Sequence, residues 1–457
     1  MNKLLLILFC LPMIGFGQQT YVPDDNFEQA LINLGYDNVL DDYVNTASID
    51  TVTYLGVSAL NISDLTGIED FTNLTYLECN DNQLTSLDIS QNAIDFLICY
   101  SNQITSIYLN TDLYYFNCWN NQLTSLDVSN NPNLVYLYCS SNQLTSIDIT
   151  SNIALVDLRL DYNQLTSLDL SNNINLEYLD FFESQLTSID LSQNTYLIEL
   201  RCGYNQLSNL DLSQNTSLEF LYCQNNLINS IDVSQNFALE YLNCYNNQLT
   251  SLDVSQNTDL TYLNCGGNQI ASLDVSNNTA LEVLNCYYNQ LTSLNVSNNT
   301  NLQHLDFYDN QLTSIDLSQN TDLVEFRCGI NLLTNLDLSQ NASLEVLYCN
   351  NNQLTSLDVR NGNNTNFTDF ISINNPNLFC INVDDWVWST VNWVDLNRID
   401  PQHYFSNNCN PSAIKEYTTN KELLKVTDLL GRETKGTNQP LFYIYDDGTV
   451  EKKIIIE

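Results

Sequence analysis

Basic residues are almost absent from most of this 457-residue chain. It holds 13 Lys and Arg against 54 Asp and Glu, which gives a formal net charge of −41. No lysine occurs between Lys3 and Lys415, and the bases in that span are Arg159, Arg201, Arg327, Arg360 and Arg398. A protein surface this acidic repels the phosphates of nucleic acids and of anionic lipids. We therefore expect no nucleic-acid partner.

Catalytic motifs are absent as well. The two histidines, His304 and His403, have no nucleophile motif near them, and neither a Gly-rich phosphate loop nor an HExxH motif occurs. We therefore expect no enzyme and no resident cofactor. Hydrophobic residues make up 44% of the chain, which excludes general disorder and indicates a folded protein.

Only the N-terminus carries a long apolar run. It extends from Leu4 to Phe16 and is shorter than the roughly 20 residues that span a bilayer. Small residues follow at Gly15 and Gly17, which predicts a signal peptide over residues 1–17, cleaved between Gly17 and Gln18. The mature chain is therefore expected to be exported and not membrane-spanning.

A 21-residue repeat fills most of the remaining sequence. Each period has two halves, as in Leu239-x-x-Leu242-x-Cys244-x-x-Asn247 followed by Leu249-x-x-Leu252-x-Val254-x-x-Asn257. The apolar pairs within each half alternate with outward residues, which indicates two short strands per period. Such a repeat predicts a solenoid of about fifteen coils with two parallel sheets around a flat core.

The repeat resembles the bacterial leucine-rich repeat in its nested 21-residue subclass, and the coil from Asn61 to Leu77 resembles the internalin variant. The resemblance implies a β-rich solenoid, a leucine-rich repeat rod, over residues 53–374. The segment that begins Asn375-Pro-Asn-Leu-Phe-Cys380 resembles the closing element of this family, so residues 375–411 are expected to form the C-terminal cap.

The core of a solenoid is exposed at its two ends, so each end is expected to carry a capping segment. In residues 18–52, Asp25-x-x-Glu28 predicts a capping box and Gly35 a helix stop, so this segment is expected to be a small helical N-cap. In the C-terminal cap, large aromatics can cover the exposed core, and the candidates are Trp386, Trp388 and Trp393.

Asparagine recurs where each first strand ends, as at Asn142, Asn163 and Asn205, with Ser184 replacing it once. A side-chain amide both donates and accepts, so it can satisfy the backbone of two coils. A hydroxyl cannot bridge in this way, and we expect a local weak point at Ser184.

Eleven cysteines share one column of the repeat, and Leu160, Phe181 and Phe307 replace them in other coils. Because bulky hydrophobic residues substitute for them, buried free thiols are favoured over metal ligands or disulfides. Cys380 and Cys409 lie outside this column. In an oxidising compartment they are expected to form a disulfide, which would contribute roughly 3–4 kcal/mol.

Aspartate recurs at the outward position of the second half, as at Asp127, Asp148 and Asp190. One interpretation is a row of Ca²⁺ sites. We favour a solvated face, because a Ca²⁺ site needs six to eight converging oxygens. The carboxylates would then accept hydrogen bonds from nearby backbone N–H groups and Ser or Thr hydroxyls.

Outward positions of the first half are rich in aromatic residues and hold three of the arginines. Tyr, Trp and Arg are enriched at binding hot spots, and exposed aromatics in this number usually mark interfaces. The alternative is that stacked tyrosines only support the sheet. The candidate partner-binding residues are Tyr115, Trp119, Tyr136, Arg159, Tyr162, Tyr178, Arg201, Tyr204, Phe220, Tyr241, Tyr245, Tyr262, Tyr287 and Arg327.

The composition changes at about Ser412, after which lysines return. The segment from Leu424 onward is predicted to form β-strands with turns at Gly431 and Gly448. Three features there, Asp428-Leu-Leu-Gly-Arg432, Tyr443-Ile-Tyr445 and Lys452-Lys-Ile-Ile-Ile456, resemble the C-terminal sorting domain of type IX secretion substrates. The resemblance implies that residues 412–457 engage the type IX secretion machinery of a Gram-negative bacterium. A generic β-module that closes the rod is the alternative.

The sequence as a whole predicts a secreted or cell-surface protein, attached to the outer surface or released, that mediates protein binding or adhesion. A carbohydrate-binding surface module and a purely structural matrix rod remain alternatives. We expect a monomer, with no metal beyond the Ca²⁺ alternative.

Overall fold

The computed structural model describes residues 17–393, 398–409, 423–427, 432–434, 440–445 and 450–454. Apart from Gly17, the predicted signal peptide lies outside these residues. The chain divides into two compact units, residues 1–407 and 408–457.

The larger unit is a solenoid built on one parallel sheet of sixteen strands, here called the main sheet. Neighbouring strands come from successive coils and pair in register, as Leu242 does with Leu263. The predicted rod is confirmed. Its strands are Tyr54–Gly56, Tyr76–Glu78, Phe96–Ile98, Tyr115–Asn117, Tyr136–Tyr138, Asp157–Arg159, Tyr178–Asp180, Glu199–Arg201, Phe220–Tyr222, Tyr241–Asn243, Tyr262–Asn264, Val283–Asn285, His304–Asp306, Glu325–Arg327, Val346–Tyr348 and Asp369–Ile371.

The last coil of the main sheet departs from the repeat. Phe367 and Phe370 occupy the two leucine positions, and Ser372 occupies the cysteine position. Its strand pairs with Val346–Tyr348 like the others. The spacing of buried side chains, rather than the identity of the residues, therefore defines a coil.

On the opposite side of the core, here called the second side, regular strands occur only towards the two ends of the rod. Ser86–Asp88 pairs with Ser106–Tyr108, and a four-stranded sheet contains Asn335–Asp337, Ser356–Asp358, Cys380–Asn382 and Tyr404–Ser406. Between them a single bridge joins Asp127 and Asp148 within the described residues. Parallel sheets are present on both sides as predicted, but the second is in two pieces.

The core is a stack of similar layers. In one coil Leu239, Leu242, Cys244, Leu249 and Val254 are at most 1% exposed. Because each coil buries its apolar side chains against the coils on both sides, the stack forms one continuous core.

The marker asparagines tie consecutive coils together. Asn142 Nδ2 donates to the carbonyls of Cys139 and Cys118, each at 3.1 Å, and its Oδ1 accepts from Leu123 N–H at 3.0 Å. At the equivalent position Ser184 Oγ is buried and has no hydrogen-bond partner among the described residues. One coil therefore lacks the bridge that its neighbours make.

All eleven cysteines of the column are buried and free, as predicted. Burial raises the pKa of the Cys265 and Cys349 thiols to about 12. These thiols are therefore apolar packing groups and not nucleophiles or metal ligands. Cys380 and Cys409 are disulfide-bonded, which confirms that prediction.

The N-terminal helix is capped differently from the prediction. Its helix, Asp25–Asn33, is capped by Asp24, whose side chain accepts from Asn26 N–H and Phe27 N–H. The predicted capping box is wrong, because the buried Glu28 carboxylate instead accepts from Asp41 N–H at 2.8 Å.

The remaining N-terminal elements are short. Gln19–Tyr21 and Tyr43–Asn45 form an antiparallel pair, and Thr46–Ile49 is a one-turn helix. Gly35 follows the Asp25–Asn33 helix with φ of 82°, as predicted for a helix stop. Single 3₁₀ turns lie at Ile68–Asp70 and Asn364–Asn366.

The C-terminal end of the rod is covered by Trp393. Its ring stacks on Phe370 with centroids 4.4 Å apart and also contacts Phe405. The short helix Trp386–Asn392 brings Trp388 against Trp393, whereas Trp386 is 51% exposed. Two of the three predicted tryptophans therefore cover the core, and the third faces solvent.

The smaller unit contains three antiparallel strands, Leu423–Thr427, Pro440–Tyr445 and Val450–Ile454. The expected β-strands of the tail are confirmed. The glycines Gly431 and Gly448, predicted to form its turns, lie outside the described residues.

Candidate functional site

The solvent face of the main sheet is the candidate site. Each three-residue strand points its middle residue into the core and its first and third residues outward. We call these two outward rows the first and second outer columns. All candidate residues lie in these columns or in the turn directly after them. The structure thus brings the predicted residues onto one face.

Aromatic rings run along the first outer column in two stretches. In the first, Phe96 stacks on Tyr76 at 5.4 Å and on Tyr115 at 5.9 Å, and Tyr136 follows at 5.9 Å from Tyr115. The rings are half-buried, each covered by its neighbour and open to solvent at its edge.

The second stretch is tighter. Tyr241 and Tyr262 lie parallel with ring centroids 4.1 Å apart, and Tyr222, from the second outer column, contacts Tyr241 at 4.6 Å. Parallel strands fix this spacing, because residues in register repeat at about 4.8 Å. Tyr178 lies in the same column but between Asp157 and Glu199, which have no rings.

Further rings occupy the turn after several of the strands. The residue before each marker asparagine adopts a left-handed backbone, and at Tyr162, Tyr204 and Tyr288 that residue is bulky, with φ of 54°, 53° and 50°. These three side chains are 48–52% exposed. A bulky residue in this conformation stores strain, which is a feature of functional positions.

Other turn residues also meet across coils. Trp119 contacts Tyr100 at 5.9 Å and is 42% exposed, and Tyr245 contacts Tyr287 at 5.6 Å. The last pair meets over Gly266, where a Cβ would lie 2.9 Å from the Tyr287 ring. Glycine at this position therefore makes room for the ring.

Each arginine of the face is held by two neighbours. Arg159 makes two hydrogen bonds of 3.1 Å to Asp157, and its guanidinium lies 5.0 Å from the ring centre of Tyr138. Tyr138, which sequence reasoning missed, also donates to Asp157 at 2.8 Å. The guanidinium is thereby orientated while its side chain stays 51% exposed.

Arg201 and Arg327 each have an acidic partner and a tyrosine ring as well, but here the ring belongs to the following coil and not to the preceding one. Arg201 pairs with Glu199 and lies 4.9 Å from the Tyr222 ring, and Arg327 pairs with Glu325 and lies 5.1 Å from the Tyr348 ring. The tyrosines belong to the second outer column, whose alternation with the core residues could have identified them from the sequence.

Two aspartates beside these arginines are unusual. Asp180 lies between Arg159 and Arg201 in the second outer column, and burial raises its pKa to about 7. Burial also raises the pKa of Asp306, which neighbours Arg327. Sequence reasoning did not single out either residue, because it treated aspartate as a residue of the second side.

One histidine belongs to this face. His304 Nδ1 lies 2.9 Å from Glu325 Oε2 and its Nε2 lies 2.9 Å from Asn285 Oδ1. It links three adjacent strands of the main sheet through polar contacts.

The aspartates of the second side behave as hydrogen-bond acceptors. Asp190 Oδ1 accepts from Ser192 N–H at 2.9 Å, and Asp148 accepts from both the N–H and the hydroxyl of Thr150. Hydrogen bonds from the Ser192 N–H and hydroxyl hold the pKa of Asp190 below its usual value. Among the described residues no group of three His, Cys, Asp or Glu is placed to hold a metal ion.

This architecture is that of a leucine-rich repeat solenoid. Such a solenoid is typically a non-enzymatic interaction fold. Within the part of the chain that the structure describes, no helix has the length and apolar character needed to cross a bilayer.

Comparison with known proteins supports this class. The leucine-rich repeat family, in a two-copy form, matches residues 238–278. Internalin J of Listeria monocytogenes serotype 4b is 38% identical over 72 residues, which is 16% of this chain and 8% of that protein. The chain therefore matches only a small part of that relative's length.

Solved structures cover more of the chain. The functional domain of InlJ from Listeria monocytogenes, which includes a cysteine ladder, is 28% identical with a TM-score of 0.66, over 96% of this chain and 99% of that one. A leucine-rich repeat protein of Leptospira interrogans, LIC12759, is 24% identical with a TM-score of 0.60, over 79% and 97%. The plant peptide hormone receptor RGFR1, in complex with RGF2, is 19% identical with a TM-score of 0.63, over 74% and 61%.

Proposed function

We propose that the protein is a secreted or cell-surface binding protein that attaches to another protein through the solvent face of the main sheet. The observation that carries the proposal is the row of stacked, edge-exposed aromatic rings on a rigid sheet. Such rings provide contact area whose ordering has already occurred on folding, so little further entropy is lost on binding.

Charge supports the same face. The second side has one acidic residue in nearly every coil, and it lacks the aromatic rows of the main sheet. A uniformly acidic surface keeps a protein soluble and discourages close contact. The main sheet instead presents aromatic rings and arginines, the residue types that are enriched at protein interfaces.

Export is part of the proposal. The predicted signal peptide over residues 1–17 and the resemblance of residues 412–457 to a sorting domain support passage to the outer surface of a Gram-negative cell. The Cys380–Cys409 disulfide also favours an oxidising compartment. Fusion of residues 412–457 to a reporter should direct its export, and retention in the periplasm would count against the sorting role.

The binding surface can be tested with a double substitution. Tyr241→Ala with Tyr262→Ala removes the parallel ring pair, and we expect affinity for the protein partner to fall about 30-fold or more, as for a hot spot worth about 2 kcal/mol. The partner is first identified by cross-linking to the full chain, and dissociation constants are then measured with the purified pair.

Tyr108→Ala is the matched control. Tyr108 is 62% exposed on the second side, so its loss should leave affinity unchanged. Equal weakening by both variants would place the interface elsewhere, and no effect of either would exclude the aromatic face.

A further inference from the structure

Two segments of the solenoid are copies of each other beyond the general repeat. Residues 177–223 correspond to residues 303–349 at a distance of six repeats. Phenylalanine replaces the core cysteine only at Phe181 and Phe307. The second outer column contains aspartate only at Asp180 and Asp306, and each is followed in the next coils by arginine and then tyrosine.

Several side-chain contacts are the same in the two copies. Asp180 Oδ1 accepts from Phe182 N–H at 2.9 Å, and Asp306 Oδ1 accepts from Tyr308 N–H at 2.9 Å. The arginine in the next coil pairs with a glutamate two residues before it in both copies. The match therefore extends from sequence to side-chain contacts.

The aromatic rings above each aspartate also correspond. Tyr162 lies 5.7 Å from Phe182, and Tyr288 lies 5.7 Å from Tyr308. The rings of each pair are steeply inclined, at 60° and 77°, so each pair forms a corner. Tyr162 and Tyr288 are the left-handed, exposed tyrosines described above.

Each copy encloses a shallow pocket. Five equivalent residues line both pockets, which are Tyr162, Asp180, Phe182, Arg201 and Tyr222 in one and Tyr288, Asp306, Tyr308, Arg327 and Tyr348 in the other. Their volumes are about 220 and 460 Å³, so each takes one chemical unit of a larger ligand.

Glycine keeps both pockets open. A Cβ at Gly203 would lie 3.0 Å from the Gln224 side chain, and one at Gly329 would lie 3.0 Å from the Tyr308 ring. A side chain at Gly203 or Gly329 would therefore displace Gln224 or Tyr308, which line the pockets. Both positions hold glycine, and Gly266 is the only other glycine that directly follows a cysteine of the eleven-cysteine column.

The contents of the pocket indicate the ligand chemistry. The arginine presents N–H donors beyond those used by its glutamate, and the aspartate presents an acceptor oxygen beside it. The arginine of each pocket is already paired with its own glutamate, so its positive charge is not left to attract an anion. A neutral ligand with adjacent donors and acceptors therefore fits better than an anion. A sugar ring has such hydroxyls and also apolar C–H faces that pack on aromatic rings.

The duplication indicates how the ligand is organised. Six coils at about 4.8 Å place the two pockets roughly 29 Å apart along one sheet. Two equal sites along a rigid strip suit a ligand that repeats the same unit. We propose that these pockets are equivalent subsites for sugar units of one polysaccharide chain. This proposal does not rest on the protein binding proposed above, although both use the solvent face of the main sheet.

The full chain can be tested on an array of neutral oligosaccharides, followed by equilibrium titration with a short oligosaccharide that binds. We expect two molecules per chain for the wild type, one for Arg201→Leu or Arg327→Leu, and none for the double variant. An oligosaccharide long enough to reach both pockets should bind at least tenfold more tightly to the wild type than to either single variant.

Arg360→Leu is the matched control, since Arg360 pairs with Asp358 on the second side and should leave binding unchanged. If the arginine variants lower the melting temperature, Tyr162→Ala and Tyr288→Ala test the same pockets through exposed rings. Binding of no neutral glycan, a stoichiometry of one, or binding unaffected by these variants would overturn the proposal. If a protein binds the chain instead and both arginine substitutions abolish that binding, the ligand of the two pockets is a protein with repeated segments, and the sugar assignment is wrong. The short oligosaccharide separates this proposal from the protein interface, because Tyr241→Ala with Tyr262→Ala lies between the two pockets and should leave its binding unchanged.

Discussion

Asp180 shows how a single residue takes its properties from its neighbours in the stack. Its carboxyl lies between two arginines, yet burial outweighs their attraction and raises the pKa to about 7. The carboxyl therefore gains a proton within the physiological pH range while the exposed aspartates of the second side stay ionised.

This residue predicts a pH dependence of stability. Because its pKa is higher in the folded than in the unfolded chain, the stability that Asp180 contributes is present below about pH 4 and is lost as pH rises through about 7. Asp180→Asn removes this loss. We expect the free energy of unfolding of the variant, relative to wild type, to rise by about 1–2 kcal/mol between pH 4.5 and 7.5, after allowance for partial exposure.

Denaturant titrations at several pH values measure this difference, and Asp190→Asn is the control. The pKa of Asp190 is lowered in the fold, so its contribution is present at neutral pH and is lost on acidification, the opposite direction. A constant difference between Asp180→Asn and wild type across the range would contradict the prediction.

At the scale of one coil, the marker asparagine decides how well two coils are joined. Asn247 donates to Cys223 O at 3.0 Å and to Cys244 O at 3.1 Å, and it accepts from Ile228 N–H at 3.0 Å. Ser184 makes none of these contacts, because its side chain is too short to reach both coils.

Ser184→Asn should therefore stabilise the rod by about 1–2 kcal/mol, since each added hydrogen bond contributes roughly 0.5–1.5 kcal/mol net. Thermal unfolding measures the gain, and hydrogen exchange should slow within the coil spanning residues 176–196. Asn247→Ser makes the reverse change and should destabilise the rod by a similar amount or more. Unchanged exchange near residue 184 together with an unchanged melting temperature would show that the bridge is not needed there.

Coils also show which sequence patterns mislead. Asp25 and Glu28 have the spacing of a capping box, but a helix cap depends on where the chain enters the helix, and Asp24 takes that role. The coil with Phe367 and Phe370 lacks the leucines of the repeat and still joins the main sheet, because the stacked coil before it presents a strand with which to pair.

The rod as a whole has one continuous core closed by a cap at each end. The eleven cysteines of the column all lie in this core. Burial raises their pKa, to about 12 at Cys265 and Cys349, so the reactive thiolate is suppressed as well as shielded.

A thiol reagent should thus leave the eleven cysteines of the column unmodified in the native protein at pH 8. It should modify all eleven once denaturant unfolds the rod. Mass spectrometry counts the labels. Ser129→Cys, placed on the exposed second side, supplies a positive control and should react at once. Rapid partial labelling of the wild type would show that the rod opens locally instead of protecting its core.

The net charge of −41 also belongs to the whole molecule. Twelve outward aspartates, one in nearly every coil of the second side, contribute to it, and no lysine occurs between Lys3 and Lys415 to offset the acidic residues. Each of these carboxylates accepts hydrogen bonds from its own turn, so the row needs no cation to be stable. The repulsion that remains keeps neighbouring rods apart.

The sequence by itself determined the rod, its period, the buried thiols and the face on which the aromatic residues lie. It could do so because period and alternation alone place a residue inside or outside a solenoid. Only the tertiary structure decided which residues of successive coils touch. Stacking in register set Arg201 against Tyr222, buried Asp180 between two arginines, and gave two distant segments the same pocket, because these contacts run across the chain direction.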